Sequence, residues 1–201
     1  MARNGGSATT SSSGLYKHMN KLQTIINFVL FQLAWFACVV GASKDLPWLG
    51  VIVALAVAAW HISQAIQPKL EMRLILTCLL IGGLYDQAIL SSGLVTYVHN
   101  GWGNALTALV PAWILGLWLA FATILNASLR WMHGRYITGA VFGAIGGPLA
   151  YIGAEKIGAV TLHGNNSYIA LSLGWAIITP LLLGIATRYD GFTDLRKEAI
   201  S

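Results

Sequence analysis

The hydrophobic positions of the chain fall into six long, nearly unbroken apolar runs separated by short polar or charged connectors. Their limits are Leu22 to Gly41, Trp48 to Ile66, Met72 to Leu94, Pro111 to Leu129, Ile137 to Ala154 and Tyr168 to Thr187. A bilayer core of about 30 Å is crossed by about 20 helical residues, which is the scale of these runs. None shows the period-two alternation of a lipid-facing barrel strand, and in hydrocarbon only helices and closed barrels satisfy their own backbone. The pattern predicts an all-α fold, a polytopic membrane helix bundle of about six transmembrane helices. Pro47 and Pro111 stand at span starts and Pro68 closes the second span. Pro148 and Pro180 lie inside spans and predict bends, with Thr179 placed to satisfy a carbonyl that Pro180 frees.

Composition sharpens the class. Of 201 residues 56% are hydrophobic and 9% charged, against about 25% charged in an average soluble domain. A mean hydropathy of +0.67 excludes a disordered chain. The net charge of +5 does not imply nucleic acid, because the basic residues lie in connectors rather than on one face. Arg3, Lys17, Lys21, Lys69, Arg73, Arg130, Arg135, Arg188, Arg196 and Lys197 fall on one side of the spans, and only Lys44 and Lys156 on the other. The positive-inside rule then predicts both termini in the cytoplasm and the connectors at Val95 to Val110 and Thr161 to Ser167 outside. Trp48, Trp102, Trp131, Tyr136, Tyr168 and Tyr189 lie near the span boundaries, as interfacial aromatics do.

Residues 1–20 are expected to form a disordered polar tail, 21–188 the six-helix transmembrane domain and 189–201 a short cytoplasmic tail. The first run is too long for a signal-peptide core and lacks a clear cleavage pattern, so a retained helix is expected, with Met19 an alternative start.

Chemistry-bearing residues are few. Asp86 lies about fourteen residues into the third span, where a carboxyl group facing lipid is costly, so it should face the bundle interior. It reads as a proton or cation site, an acid/base group, a protonated or hydrogen-bonded packing contact, or a sign that the span ends earlier at the interface. Gln87, Tyr151 and Glu155 fall at comparable depth and complete an outward-facing ligand or proton site on paper. A second cluster, Asn27, His61, Gln64, Asn126 and Arg130, falls at one depth near the cytoplasmic ends. It reads as a polar pocket or as interhelical hydrogen bonding. Gly139, Gly143 and Gly147 recur every four residues and predict close helix packing.

No catalytic residue emerges, and the reading leans against an enzyme. The chain has no Gly-x-Ser-x-Gly elbow, no phosphate loop and no His cluster with di-iron spacing. Cys38 and Cys78 form no Cys-x-x-Cys pair. No metal and no cofactor is expected. The expected partners are the lipid bilayer, a lipid or small-molecule ligand, and a membrane-protein partner or a second copy of the chain; nucleic acid is not among them.

Several stretches resemble a known family. Ile26-Asn27-Phe28 with Gln32 and Trp35, Leu46-Pro47-Trp48-Leu49-Gly50, Pro111-Ala112-Trp113, Ser128-Leu129-Arg130-Trp131 and Gly146-Gly147-Pro148-Leu149-Ala150-Tyr151 are similar to the bacterial domain-of-unknown-function 2878 family of multi-span inner-membrane proteins. The resemblance runs from about Met19 to about Val160 and is weaker between His99 and Leu109. It implies a multi-pass protein of the bacterial inner membrane with no established activity, and it hints at lipid metabolism. The function expected is a small-molecule or lipid-handling carrier or binding protein; the alternatives are an accessory subunit or enzyme of membrane-lipid modification and a structural membrane partner.

Overall fold

A computed structural model describes residues 21–98, 101–102 and 108–193. The expected N-terminal tail, residues 194–201 of the expected C-terminal tail, and residues 99–100 and 103–107 of the connector before α4 lie outside the described residues. The chain forms α1 (Lys21–Ser43), α2 (Pro47–Gln64), α3 (Pro68–Ser91), β1 (Val95–Tyr97), α4 (Ala112–Leu125), a 3-10 turn (Arg130–Met132), α5 (Tyr136–Ile157), β2 (Val160–Leu162) and α6 (Asn165–Arg188). All helices but α4 are long and apolar enough to cross a membrane.

The breaks follow from local chemistry. Pro47 and Pro68 occupy first helical positions, where a missing N–H costs nothing. Asp45 takes a positive φ of 62° in the tight turn between α1 and α2. Gly158 ends α5 in the left-handed region at φ 89°, the usual glycine stop.

The fourth apolar run does not form a helix of full span length. Its helix is 14 residues, about 21 Å at 1.5 Å per residue. From Asn126 onward the chain turns, and Leu129 and Met132 stay buried in those turns. Every α4 residue except Leu115 and Leu117 is buried, as expected of a helix apolar all round. It forms the core post, packed by α1, α2 and α3. The α5–α6 hairpin is the second body of the bundle, and it meets the first chiefly through α1, α3 and α4. Large apolar side chains such as Ile52, Leu80, Ile137 and Ile177 are exposed on the outer faces, where a bilayer solvates them.

Small residues set the helix contacts. A Cβ on Gly50 would overlap the backbone of Cys38, so α1 and α2 touch main chain to main chain there. Gly139, Gly143 and Gly147 are buried against Leu183, Thr179 and Trp175 of α6 in the same chain. Thr179 differs from expectation. Its hydroxyl abuts Gly143 and has no hydrogen-bond partner, so it does not satisfy the carbonyl freed by Pro180.

Sequence periodicity missed one element. Val95, Thr96 and Tyr97 pair antiparallel with Leu162, Thr161 and Val160. This two-stranded ribbon lies at the end of the bundle opposite Lys21 and Arg188, and it ties the α3–α4 connector to the α5–α6 turn. Three-residue strands are too short to leave a period in the sequence.

Candidate functional site: a carboxylate under an apolar cleft

Asp86 sits on the inner face of α3 and is 1% exposed. Three donors from three other elements converge on it. Tyr97 of β1 donates to Oδ1 at 2.5 Å, Tyr151 of α5 donates to the same oxygen, and the Trp118 indole of α4 donates to Oδ2 at 2.5 Å. Both carboxyl oxygens of Asp86 act as acceptors here. Asp86 joins no ion pair among the described residues.

The Trp118 indole is fixed on both faces. One face lies on Gly82, where a Cβ would overlap the ring, and the other stacks on Trp175 at 5.0 Å and 8° between planes. Only a glycine one helical turn before Asp86 leaves room for an indole at the carboxylate. Trp175 Nε1 and the hydroxyl of Tyr85 are buried without a hydrogen-bond partner.

Above this carboxylate the two bodies of the bundle do not close. A cavity of about 440 Å³ runs between α1 and α4 on one side and α5 and α6 on the other. Its walls are almost wholly apolar and aromatic, with Trp35, Trp118, Phe121 and Trp175 prominent, and Asp86 is the one charged residue among the described lining residues. On α5 it extends from Phe142 to Ala154, about 18 Å along the helix. Phe28, Phe142 and Leu149 line it while exposed on the outer surface, so it opens toward the lipid-facing side.

Of the four residues placed together from sequence, Asp86 and Tyr151 meet. Gln87 instead accepts from the Val110 amide at 2.8 Å and donates to the Ala108 carbonyl at 2.9 Å, pinning the connector to α3. Glu155 accepts from the Leu162 amide at 2.8 Å and pins β2. Their backbone partners lie in connectors whose path the sequence does not reveal. Tyr97, Trp118 and Trp175 were missed for the same reason: each looks like ordinary aromatic filling until the fold turns it on Asp86 or the cleft.

The second cluster gathers at the other end, around a residue that depth counting overlooked. Glu71 is fully buried in the first turn of α3. Its Oε2 meets His61 Nε2 at 2.8 Å, and its Oε1 accepts from Asn126 Nδ2 at 2.8 Å and the Gly191 amide at 2.7 Å. Asn27 donates to the Thr123 carbonyl at 3.1 Å and lies 3.5 Å from His61 Nδ1, while Ser128 donates to Asn27 Oδ1 at 2.8 Å. Arg130 grips Asp190 with two bonds, at 3.0 and 2.5 Å, and donates to Thr193 at 2.9 Å. Gln64 stands apart; it is half-buried and, among the described residues, donates to the Ser63 hydroxyl at 3.1 Å. These polar groups bond to one another, with Asn126 Oδ1 alone in the cluster buried without a partner, and they lock the segment after α6 under the ends of α2, α3 and α4. Among the described residues no three His, Cys, Asp or Glu side chains gather as metal ligands would.

His133, in the turn before α5, donates from Nε2 to the Leu125 carbonyl, 2.9 Å away. With only a carbonyl there, Nε2 must carry the proton. Burial lowers its pKa below the usual 6.5, the Leu125 bond opposes that, and Arg130 adds to it. The unfolded chain therefore binds the extra proton first, and stability falls as pH drops below about 6.5. His133→Asn, which keeps a donor, is expected to flatten that part of the pH–melting curve; an unchanged acid slope would remove His133 as its source.

The fold and these two polar centres define a class: a polytopic helical membrane protein with a buried carboxylate beneath an intramembrane cleft. The chain belongs to the family described as Protein of unknown function (DUF2878), whose sequence profile matches residues 24–181. That match reaches into α6, beyond the Val160 limit read from the sequence. No curated protein and no solved structure matches the chain.

Proposed function

We propose that this membrane protein binds a lipid-like amphiphile, as a carrier or binding protein, in the cleft between α1–α4 and the α5–α6 hairpin, with its basic end toward the cytoplasm. The observation that carries the reading is the cleft itself. Ligand sites commonly hold about 300–1,000 Å³ and combine apolar walls with a few polar groups; this one has about 440 Å³ and a single carboxylate at its floor. Its exposed rim suits a ligand arriving from the bilayer, and the unpartnered Trp175 N–H and Thr179 hydroxyl on its walls suit a ligand that carries an acceptor atom.

Gly146 supplies a selective test. It lines the cleft, and a Cβ there meets only Phe142, at 3.9 Å. Gly146→Phe should fill the cleft without disturbing a helix contact, and replacing a mid-helix glycine adds helix propensity of up to about 1 kcal/mol. Native mass spectrometry of protein released from membranes in mild detergent is expected to find a retained lipid on the wild type and none on Gly146→Phe. Equal retention by both, or no retained lipid on either, would count against the cleft as a binding site.

A further inference from the structure

From the charge and the walls of this cleft we infer that the polar end of its ligand is a cation, an ammonium group seated against Asp86; the inference rests on the cleft being a binding site. Asp86 is the one charged residue among the described lining residues, and among the described residues no Lys, Arg or His pairs with it. Tyr97, Tyr151 and Trp118 satisfy its lone pairs with neutral donors, which spread the charge but do not cancel it. Tyr85 is the other titratable group near it, on the same helix. In hydrocarbon an uncompensated carboxylate attracts a counter-charge strongly, because little water screens it.

The surroundings select the kind of cation. Trp35, Phe31 and Phe121 line the cleft beside the stacked Trp118–Trp175 pair, and aromatic rings attract cations that shed water readily, above all alkylated ammonium. Asp86 lies deep in the cleft, whereas the rim residues Phe28 and Phe142 are apolar and open to the lipid side. A molecule lying in the cleft thus puts its cationic end on the carboxylate and its alkyl part along α1 and α5. A carboxylate- or phosphate-ended lipid meets repulsion at the same place.

The test compares hexadecyltrimethylammonium, hexadecanol and hexadecanoate on the full-length protein in neutral maltoside micelles, by native mass spectrometry and tryptophan fluorescence. Gly146→Phe serves as the control for partition into the micelle. The ammonium is expected to bind about tenfold tighter than the alcohol, the scale of a desolvated cation–π and charge contact, and the carboxylate weakest. Asp86→Asn is expected to erase the difference between ammonium and alcohol while both still bind. If Asp86→Asn fails to fold, the three head groups on the wild type decide alone. Alcohol or carboxylate binding as tightly as the ammonium would overturn the cationic ligand and leave the cleft reading standing. Absence of binding by all three, with Gly146→Phe indistinguishable from wild type, would overturn both.

Discussion

Replacing Glu71 by Ala is expected to cost about 3–5 kcal/mol of stability, the range for removing one partner of a buried ion pair or network. The carboxylate is the only acceptor that the Asn126 side-chain amide shares with the Gly191 amide, and it is the partner of His61 Nε2. Without it His61 Nε2 and the Gly191 amide stay buried and unpaired and Asn126 Nδ2 keeps only the Tyr189 carbonyl at 3.0 Å, His61 and Asn126 being each 1% exposed. Each orphaned group adds about 1–3 kcal/mol of desolvation cost. Glu71→Gln should cost less, because the amide oxygen still accepts from Asn126 and Gly191 and only the contact with His61 is compromised. The two free cysteines provide the readout, as Cys38 and Cys78 are both buried in the core and react with a thiol dye only when helices separate. A Glu71→Ala protein melting within a degree or two of wild type would show that the network does not hold this end of the bundle together.

Gly82→Leu is expected to damage fold and site together. A side chain at this position meets the six-membered ring of Trp118, which must then slide on Trp175 and leave its place at Asp86. Overpacking of a well-filled core typically costs about 1–3 kcal/mol, and a rigid indole places this case at the upper end. The displaced ring also withdraws its N–H from Asp86, so one carboxylate oxygen loses its donor. The expected result is a melting temperature several degrees lower together with weakened ligand retention. Trp118→Phe removes the N–H without overpacking: it should weaken retention and cost about 1–3 kcal/mol for the orphaned Asp86 oxygen. If Gly82→Leu left both unchanged, the packing of Trp118 between Gly82 and Trp175 would be wrong.

How much of the site was legible depended on what connects its members. Asn27, His61, Asn126 and Arg130 could be placed at one level because helical rise is constant, so counting residues from span ends measures depth. The same counting passed over Glu71, which stands between Lys69 and Arg73 and reads as one more boundary charge. At 100° per residue, however, Glu71 points about 200° away from Lys69 and Arg73 returns to within about 40° of it. The two cations are exposed and the acid is buried. Helical phase thus carried the missing signal, although it does not name the partners, which arrive from α2, the turn after α4 and the segment after α6.

Depth also linked Asp86 with Tyr151 but linked them equally with Gln87 and Glu155, and the backbone groups that claim those two belong to connectors without periodicity. The ribbon that delivers Tyr97 is three residues per strand. Trp118 and Trp175 are two aromatics among many, and nothing in their neighbours separates a ring that fills space from one that touches a carboxylate.

The chain by itself determined that it is a membrane helix bundle, where its helices begin and end to within a few residues, and that Asp86 and the cluster near His61 avoid lipid. Those properties follow from quantities read along the sequence: apolar length against bilayer thickness, and the penalty for a carboxylate in hydrocarbon. Only the tertiary structure decided that α4 is a short buried post, that the glycines of α5 pack on α6, and that a cleft stays open over Asp86. The physical reason is that lipid and protein interior are equally apolar. Hydrophobicity therefore says that a residue leaves water without saying which neighbour it meets; small residues, rigid rings and paired polar groups choose the neighbour, and they act across the fold rather than along the chain.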